Sequence, residues 1–259
     1  MISPHLALRL RPAFTFALTI LCLSATRVMS AAESTRPNIV YILADDLGYG
    51  DVQALNPTRG KIKTPHLDRL AAQGMTFTDA HSGSSVCTPT RYGLLTGRYA
   101  WRSRLQKGVL DGSDDPPLIA EGRLTVPALL KKNGYTTAAI GKWHLGFLSE
   151  RPTSPTTAAP AAPTKKSKMG DAGLPVGSRI IGGPITRGFD YFWGCSNART
   201  MSGLIENDRV IESLPPIQML PRLERQAVNY VAEHAAAAKA GKPFFLYIPL
   251  TSPHTPILP

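Results

Sequence analysis

The chain has 259 residues, 43% of them hydrophobic and 18% charged, an ordinary globular composition with room for one large domain or two small ones. Its formal charge of +11 favours anionic partners. The densest basic cluster (Lys165, Lys166, Lys168) has neither aromatic interleaving nor a nucleic-acid motif, which excludes a nucleic-acid-binding module, and three cysteines are too few for a disulfide framework.

The N-terminus has a basic start (His5, Arg9, Arg11) and an apolar run over residues 13–25, broken only by Thr15, Thr19 and Ser24. Small residues follow at Ser30, Ala31 and Ala32. This is the layout of a secretory signal peptide over residues 1–32, and its apolar run is too short to span a bilayer. Bulky Leu21 before Cys22 argues against a lipid anchor. Nothing later is long and apolar enough for a membrane helix, so the expected product is exported, periplasmic or secreted, without stable membrane insertion. Losing Arg9, Arg11 and Arg27 lowers the formal charge to about +8. Cys87 and Cys195 remain; a disulfide between them is the plain alternative, and the surroundings of Cys87 argue against it.

Residues 38–44 (NIVYILA) form a continuous β-branched and apolar run, predicting a fully buried strand whose carboxyl end carries Asp45 and Asp46. Residues 66–73 place Leu67, Leu70 and Ala71 at helical spacing and stop at Gly74; residues 126–132 form a second short helix before Gly134. Residues 135–140 and 244–248 read as strands, and the helix predicted over 222–238 places Leu223, Ala227, Val231 and Ala235 on one face. Strands alternating with helices predict an α/β fold with a mainly parallel central sheet flanked by helices. Residues 151–168 (RPTSPTTAAPAAPTKKSK) lack any apolar period and read as an exposed insertion within a domain spanning 33–259. Because the chain stops just after a strand and a Ser-Pro-His-Thr-Pro turn, it is expected to be the N-terminal part of a longer protein. The flank of residues 244–248 is then expected to be an unpaired sheet edge.

Four groups of residues carry chemistry. Asp45 and Asp46 are adjacent carboxylates at a strand end, which repel unless a cation lies beside them, and a hard cation with oxygen ligands suits them. Ser85-Val86-Cys87-Thr88-Pro89-Thr90-Arg91, followed by Leu94-Leu95-Thr96-Gly97, puts a cysteine two residues before a proline and four before an arginine. In residues 134–144 (GYTTAAIGKWH) a strand ends in a glycine, after which Lys142 and His144 share a side by strand alternation. His254 sits between two prolines that hold its backbone.

The Cys87 segment resembles the first signature of the sulfatase family, with Thr90 where the family's commonest form has serine, and residues 134–144 resemble the second. Asp45 and Asp46 resemble the acidic pair that opens the family's metal site, and His254 matches its later histidine. The resemblance covers roughly residues 36–259 apart from the insertion. It implies an alkaline-phosphatase-like fold and sulfate-ester hydrolysis through a formylglycine made from Cys87 by a formylglycine-generating enzyme. It also implies one divalent cation, calcium, on Asp45, Asp46 and the modified Cys87. In that mechanism the aldehyde hydrates to a diol held by the cation and Arg91, and one hydroxyl attacks the sulfur of a sulfated small molecule or polysaccharide. Lys142 and His254 face the sulfate, the leaving alcohol takes a proton through His254 or a group beyond residue 259, and His144 draws a proton from the second hydroxyl as sulfate departs. The family's remaining metal ligands, an Asp-Asn pair, and its further lysine at the sulfate are expected beyond residue 259. Two alternatives stay open: a phosphodiesterase or phosphonate hydrolase of the same fold, and a non-catalytic protein that holds sulfated glycans.

Overall fold

The computed structural model describes residues 36–110, 114–152, 174–199 and 201–258. The leader expected over 1–32 and nearly all of the insertion at 151–168 lie outside the described residues.

The apolar runs become the strands of one mixed, mostly parallel sheet. Strand β1 (Ile39–Asp45) is followed by the short helix α1 (Pro65–Gln73), by α2 (Cys87–Thr96) and by α3 (Val126–Lys132). Then come β2 (Thr136–Lys142), β3 (Leu148–Glu150), β4 (Arg179–Ile181), β5 (Tyr191–Cys195), β6 (Gly203–Glu206) and β7 (Arg209–Ser213). The long helix α4 (Met219–Lys239) leads into β8 (Phe244–Pro253). The order across the sheet is β1-β8-β2-β5-β6-β7-β4-β3. The first four are parallel, so their carboxyl ends lie side by side, and the rest continue as an antiparallel extension.

Alternation along the parallel strands feeds a core on each face. Ala139, Phe245 and Tyr247 join Tyr92 and Leu95 of α2 on one side, while Ala138, Ile140, Phe244 and Leu246 meet Leu223 and Tyr230 of α4 on the other. Helix α3 is capped by the Thr125 side chain, which accepts from the Ala128 N–H, and carries Pro127 in its first turn.

Three expectations about packing are corrected. Residues 38–44 are not fully buried: Val40 is 47% and Ile42 59% exposed, because β1 pairs with β8 on one side and with no strand on the other among the described residues. The unpaired edge is therefore β1. The 244–248 run lies inside the sheet, hydrogen-bonded to β1 and β2, so its hydrophobicity reflects burial on both faces. On α4 the buried residues are Met219, Leu223, Ala227 and Tyr230, whereas Val231 is exposed. Successive steps of four drift off a 3.6-residue period, and a step of three to Tyr230 keeps the stripe on the sheet.

Candidate active site

The carboxyl ends of β1, β2, β5 and β8 converge with the start of α2, the place where open α/β sheets put their ligands. At the end of β1 the backbone turns through a left-handed conformation at Asp46 (φ 64°). That turn sends the neighbouring carboxylates apart: the Asp45 side chain is 4% exposed and the Asp46 side chain 54%. Asp45 meets two cations, Lys142 Nζ at 2.5 Å and Arg91 Nη2 at 3.3 Å. Burial alone would raise the Asp45 carboxyl, but Arg91 and Lys142 outweigh it and hold its pKa below the usual carboxylate range.

Cys87 opens α2, and Val86 before it offers no side-chain cap, so the first backbone N–H groups of the helix are left for another partner. Thr88 and Thr90 lock this turn in place: the Thr88 hydroxyl accepts from the Leu110 N–H at 3.2 Å, and the Thr90 hydroxyl donates to the Ser84 carbonyl at 2.8 Å. The Cys87 thiol lies 3.4 Å from Lys142 Nζ. Burial pushes the thiol pKa up, and the opposing pulls of Lys142 and Asp45 do not reverse this. The unmodified side chain is therefore a protonated thiol near neutral pH and a poor nucleophile. Cys87 and Cys195 are both free; Cys195 is fully buried in the core, its pKa pushed up to about 12.

Arg91, one turn into α2, is also buried. Its guanidinium donates to the Lys142 carbonyl at 2.7 Å and the Leu250 carbonyl at 3.4 Å besides pairing with Asp45, so one side chain ties together the ends of β1, β2 and β8. Gly141 delivers Lys142 to this point. Its φ of 143° suits glycine, and a Cβ there would lie 2.1 Å from the Pro249 carbonyl oxygen.

Past the strand end, His144 adopts a left-handed conformation (φ 53°). Its Nε2–H donates to the Leu110 carbonyl at 2.7 Å, which leaves Nδ1 as the unprotonated nitrogen, buried and without a partner among the described residues. Burial and the charge of Lys142 pull the His144 pKa down to about 3, so the ring is neutral across the physiological range. His254 Nδ1–H donates to the Thr255 carbonyl at 2.5 Å, and its Nε2 lies 3.7 Å from Asp46 Oδ2.

Two depressions flank Cys87. One of about 250 Å³ is lined by Asp46, Cys87, Lys142, His144 and His254 together with Val109, Leu110, Asn197, Ala198 and Arg199. The other, about 240 Å³, is lined by Asp45, Asp46, Ser84, Cys87, Thr90 and Arg91 among others. Asp45, Cys87 and His254 offer ligand atoms within 4.8 Å of one another. A thiol and an imidazole suit calcium poorly, whereas the carboxylates of Asp45 and Asp46 are hard donors, and an oxygen in place of the sulfur at position 87 would add a third hard donor for such a cation. All the residues singled out in the sequence thus gather at one place. Ser84, Asn197 and Arg199 were not singled out; the polar run Ser196-Asn197-Ala198-Arg199 after an aromatic run at 191–193 was the available signal.

The family profile described as Sulfatase matches residues 37–258. An N-acetylgalactosamine-6-O-sulfatase of Bacteroides thetaiotaomicron is 47% identical over 114 residues, 44% of this chain and 22% of that protein. Human arylsulfatase A is 37% identical over 227 residues, 85% of this chain and 42% of that one. A solved structure from work on glycosaminoglycan metabolism by Bacteroides thetaiotaomicron superposes with a TM-score of 0.69 at 26% identity, covering 87% of this chain and 53% of its own. The chain spans less than half the length of the two named sulfatases. With a match over nearly its whole described length, and the Cys87 turn, Lys142 and His144 meeting at one strand end, the chain belongs to the sulfatase family.

Proposed function

We propose that the protein of which this chain is part hydrolyses sulfate esters on a sulfated saccharide or small molecule, with a formylglycine made from Cys87 as its catalytic group. The observation that carries the proposal is the gathering of Cys87, Lys142, His144 and His254 around one depression, with Cys87 at the uncapped start of α2. As a thiol the residue is poorly suited to attack. Its place at an uncapped helix start, 3.4 Å from Lys142 Nζ, favours an anionic oxygen instead. The aldehyde, once formed and hydrated, supplies an oxygen nucleophile that avoids leaving a stable sulfate ester on the enzyme.

Asp45 and Asp46 would hold the cation, calcium in our reading, which would add positive charge beside the sulfate oxygens. Lys142 Nζ supplies a fixed positive charge at the same point. His144, neutral and with Nε2–H committed to Leu110, has its Nδ1 lone pair as the proton acceptor. His254, with Nδ1–H committed to Thr255, would pass a proton to the departing alcohol from Nε2 in its imidazolium form, beside the Asp46 carboxylate. Arg91 holds the strand ends together through Nη1 and Nη2, which meet the Lys142 and Leu250 carbonyls and Asp45, and adds a buried positive charge behind Cys87. The N-acetylgalactosamine-6-O-sulfatase and the glycosaminoglycan-metabolism structure support a sulfated saccharide as substrate. The basic-apolar-small layout of residues 1–32 supports export to the periplasm or beyond, and no described helix is long and apolar enough to cross a membrane.

The test is mass spectrometry of the Cys87 peptide from full-length protein coexpressed with a formylglycine-generating enzyme, with parallel assays on an aryl sulfate and a phosphodiester. A peptide about 18 Da lighter than the thiol form, with sulfate-ester turnover lost in Cys87→Ala, is expected. An unmodified thiol in a fully active enzyme overturns the reading.

A further inference from the structure

The segment after β5 lines part of the larger depression beside Cys87, and backbone hydrogen bonds hold that segment in place. The Trp143 N–H donates to the Cys195 carbonyl at 2.9 Å and the His144 N–H to the Ser196 carbonyl at 2.7 Å, so the chain leaving β5 is fastened to the chain carrying Lys142 and His144. Asn197 is buried, and its side-chain oxygen accepts from the Arg199 N–H at 2.8 Å, closing a turn that carries Arg199 onto the wall.

The charges in and behind this depression are not equivalent. Lys142 is fully buried and paired with Asp45, and buried Arg91 directs its Nη groups to Asp45 and two carbonyls. Arg199 is exposed, lines the depression and has no carboxylate within ion-pair distance among the described residues. Its neighbours on the wall, Val109, Leu110 and Ala198, are apolar and suit the carbon skeleton of an alcohol. At about 250 Å³ the space is smaller than a usual ligand site, and Cys87 and Arg199 both line it.

We infer that Arg199 is a specificity-determining residue that pairs with a second anionic group, a sulfate or carboxylate, on the alcohol side of the substrate. This rests on the sulfatase reading of the same site. A guanidinium fork matches the oxygens of either anion and binds them as charge-assisted hydrogen bonds. The favoured substrate is then a saccharide unit with two negative groups.

The experiment compares full-length, formylglycine-bearing wild type with Arg199→Ala and Arg199→Lys on three esters: a monosulfated hexosamine, the same sugar with a second sulfate, and a sulfated uronate. For the doubly anionic sugars Arg199→Ala raises KM about 10- to 100-fold more than for the monosulfated one, with kcat changing far less, and Arg199→Lys recovers part of the loss. Which doubly anionic sugar suffers more identifies the second anion as sulfate or carboxylate. Equal losses on all three esters, or none, overturn the assignment and leave the sulfatase reading intact. If wild type hydrolyses none of them, the aryl sulfate assay decides the sulfatase reading, and titration calorimetry with the disulfated sugar decides the assignment: weaker binding to Arg199→Ala than to wild type supports it, and equal binding overturns it.

Discussion

At Asp45 two buried cations, Arg91 and Lys142, converge on one carboxylate. Removing one member of such a group strands charge in a poorly solvated place, and this costs more than the intact pairing contributes. Lys142→Met in metal-free protein is therefore expected to lower unfolding stability by about 3 to 5 kcal/mol, read from urea denaturation. Adding Asp45→Asn should recover part of that loss, giving a coupling of at least about 1 kcal/mol; strict additivity would show that the two side chains do not interact as described. The sequence placed Cys87, Lys142, His144 and His254 at a shared site through their motifs. It did not reveal what holds Arg91, because that side chain's acceptors come from Lys142 and Leu250, 51 and 159 residues away.

Among the elements, β2 depends most on its glycine. Gly141→Ala would put a Cβ 2.1 Å from a backbone oxygen of β8 at a φ of 143°, a conflict that no rotamer change relieves. A loss of more than about 4 kcal/mol is expected, read as a fall in soluble yield and in Tm. At its other end β2 is held by Asp190, whose carboxylate accepts from the Thr137 N–H and hydroxyl, each at 3.0 Å, and pairs with Lys131. Burial raises this carboxyl, but Lys131 and Thr137 together hold its pKa below the ordinary value. A carboxyl depressed in the folded state stabilises it fully above the unfolded pKa of about 3.9, and that contribution disappears as pH falls through the lower folded value. The stability gap between wild type and Asp190→Asn should accordingly be widest near neutrality and shrink below about pH 4 in thermal unfolding; a gap independent of pH would assign the effect to packing.

For the whole molecule, the exposed flank of β1 is the dominant feature. Val40 and Ile42 are apolar and exposed on a strand with a free edge among the described residues, a combination that promotes association between chains. The 259-residue chain expressed alone is expected to self-associate, and Ile42→Lys to shift it toward monomer in sedimentation velocity. A wild-type chain that runs as a monomer at high concentration would contradict this.

Local chemistry determined much of this in advance: apolar runs and glycine stops set the existence of β1, α1, α3, β2, α4 and β8, since side-chain period and backbone freedom act within a few residues. The motifs likewise marked Asp45, Asp46, Cys87, Lys142, His144 and His254, because the residue types and spacings that such chemistry needs are written along the chain. Neighbourhood was decided by tertiary structure alone. Whether 38–44 or 244–248 lies at the edge depends on strand order, and both runs are equally apolar. Which α4 face is buried depends on the sheet it meets, and the place of Arg199 in the same depression as Cys87 depends on two backbone hydrogen bonds between strand ends more than 50 residues apart in sequence. Such contacts are long-range and leave no periodic trace in composition.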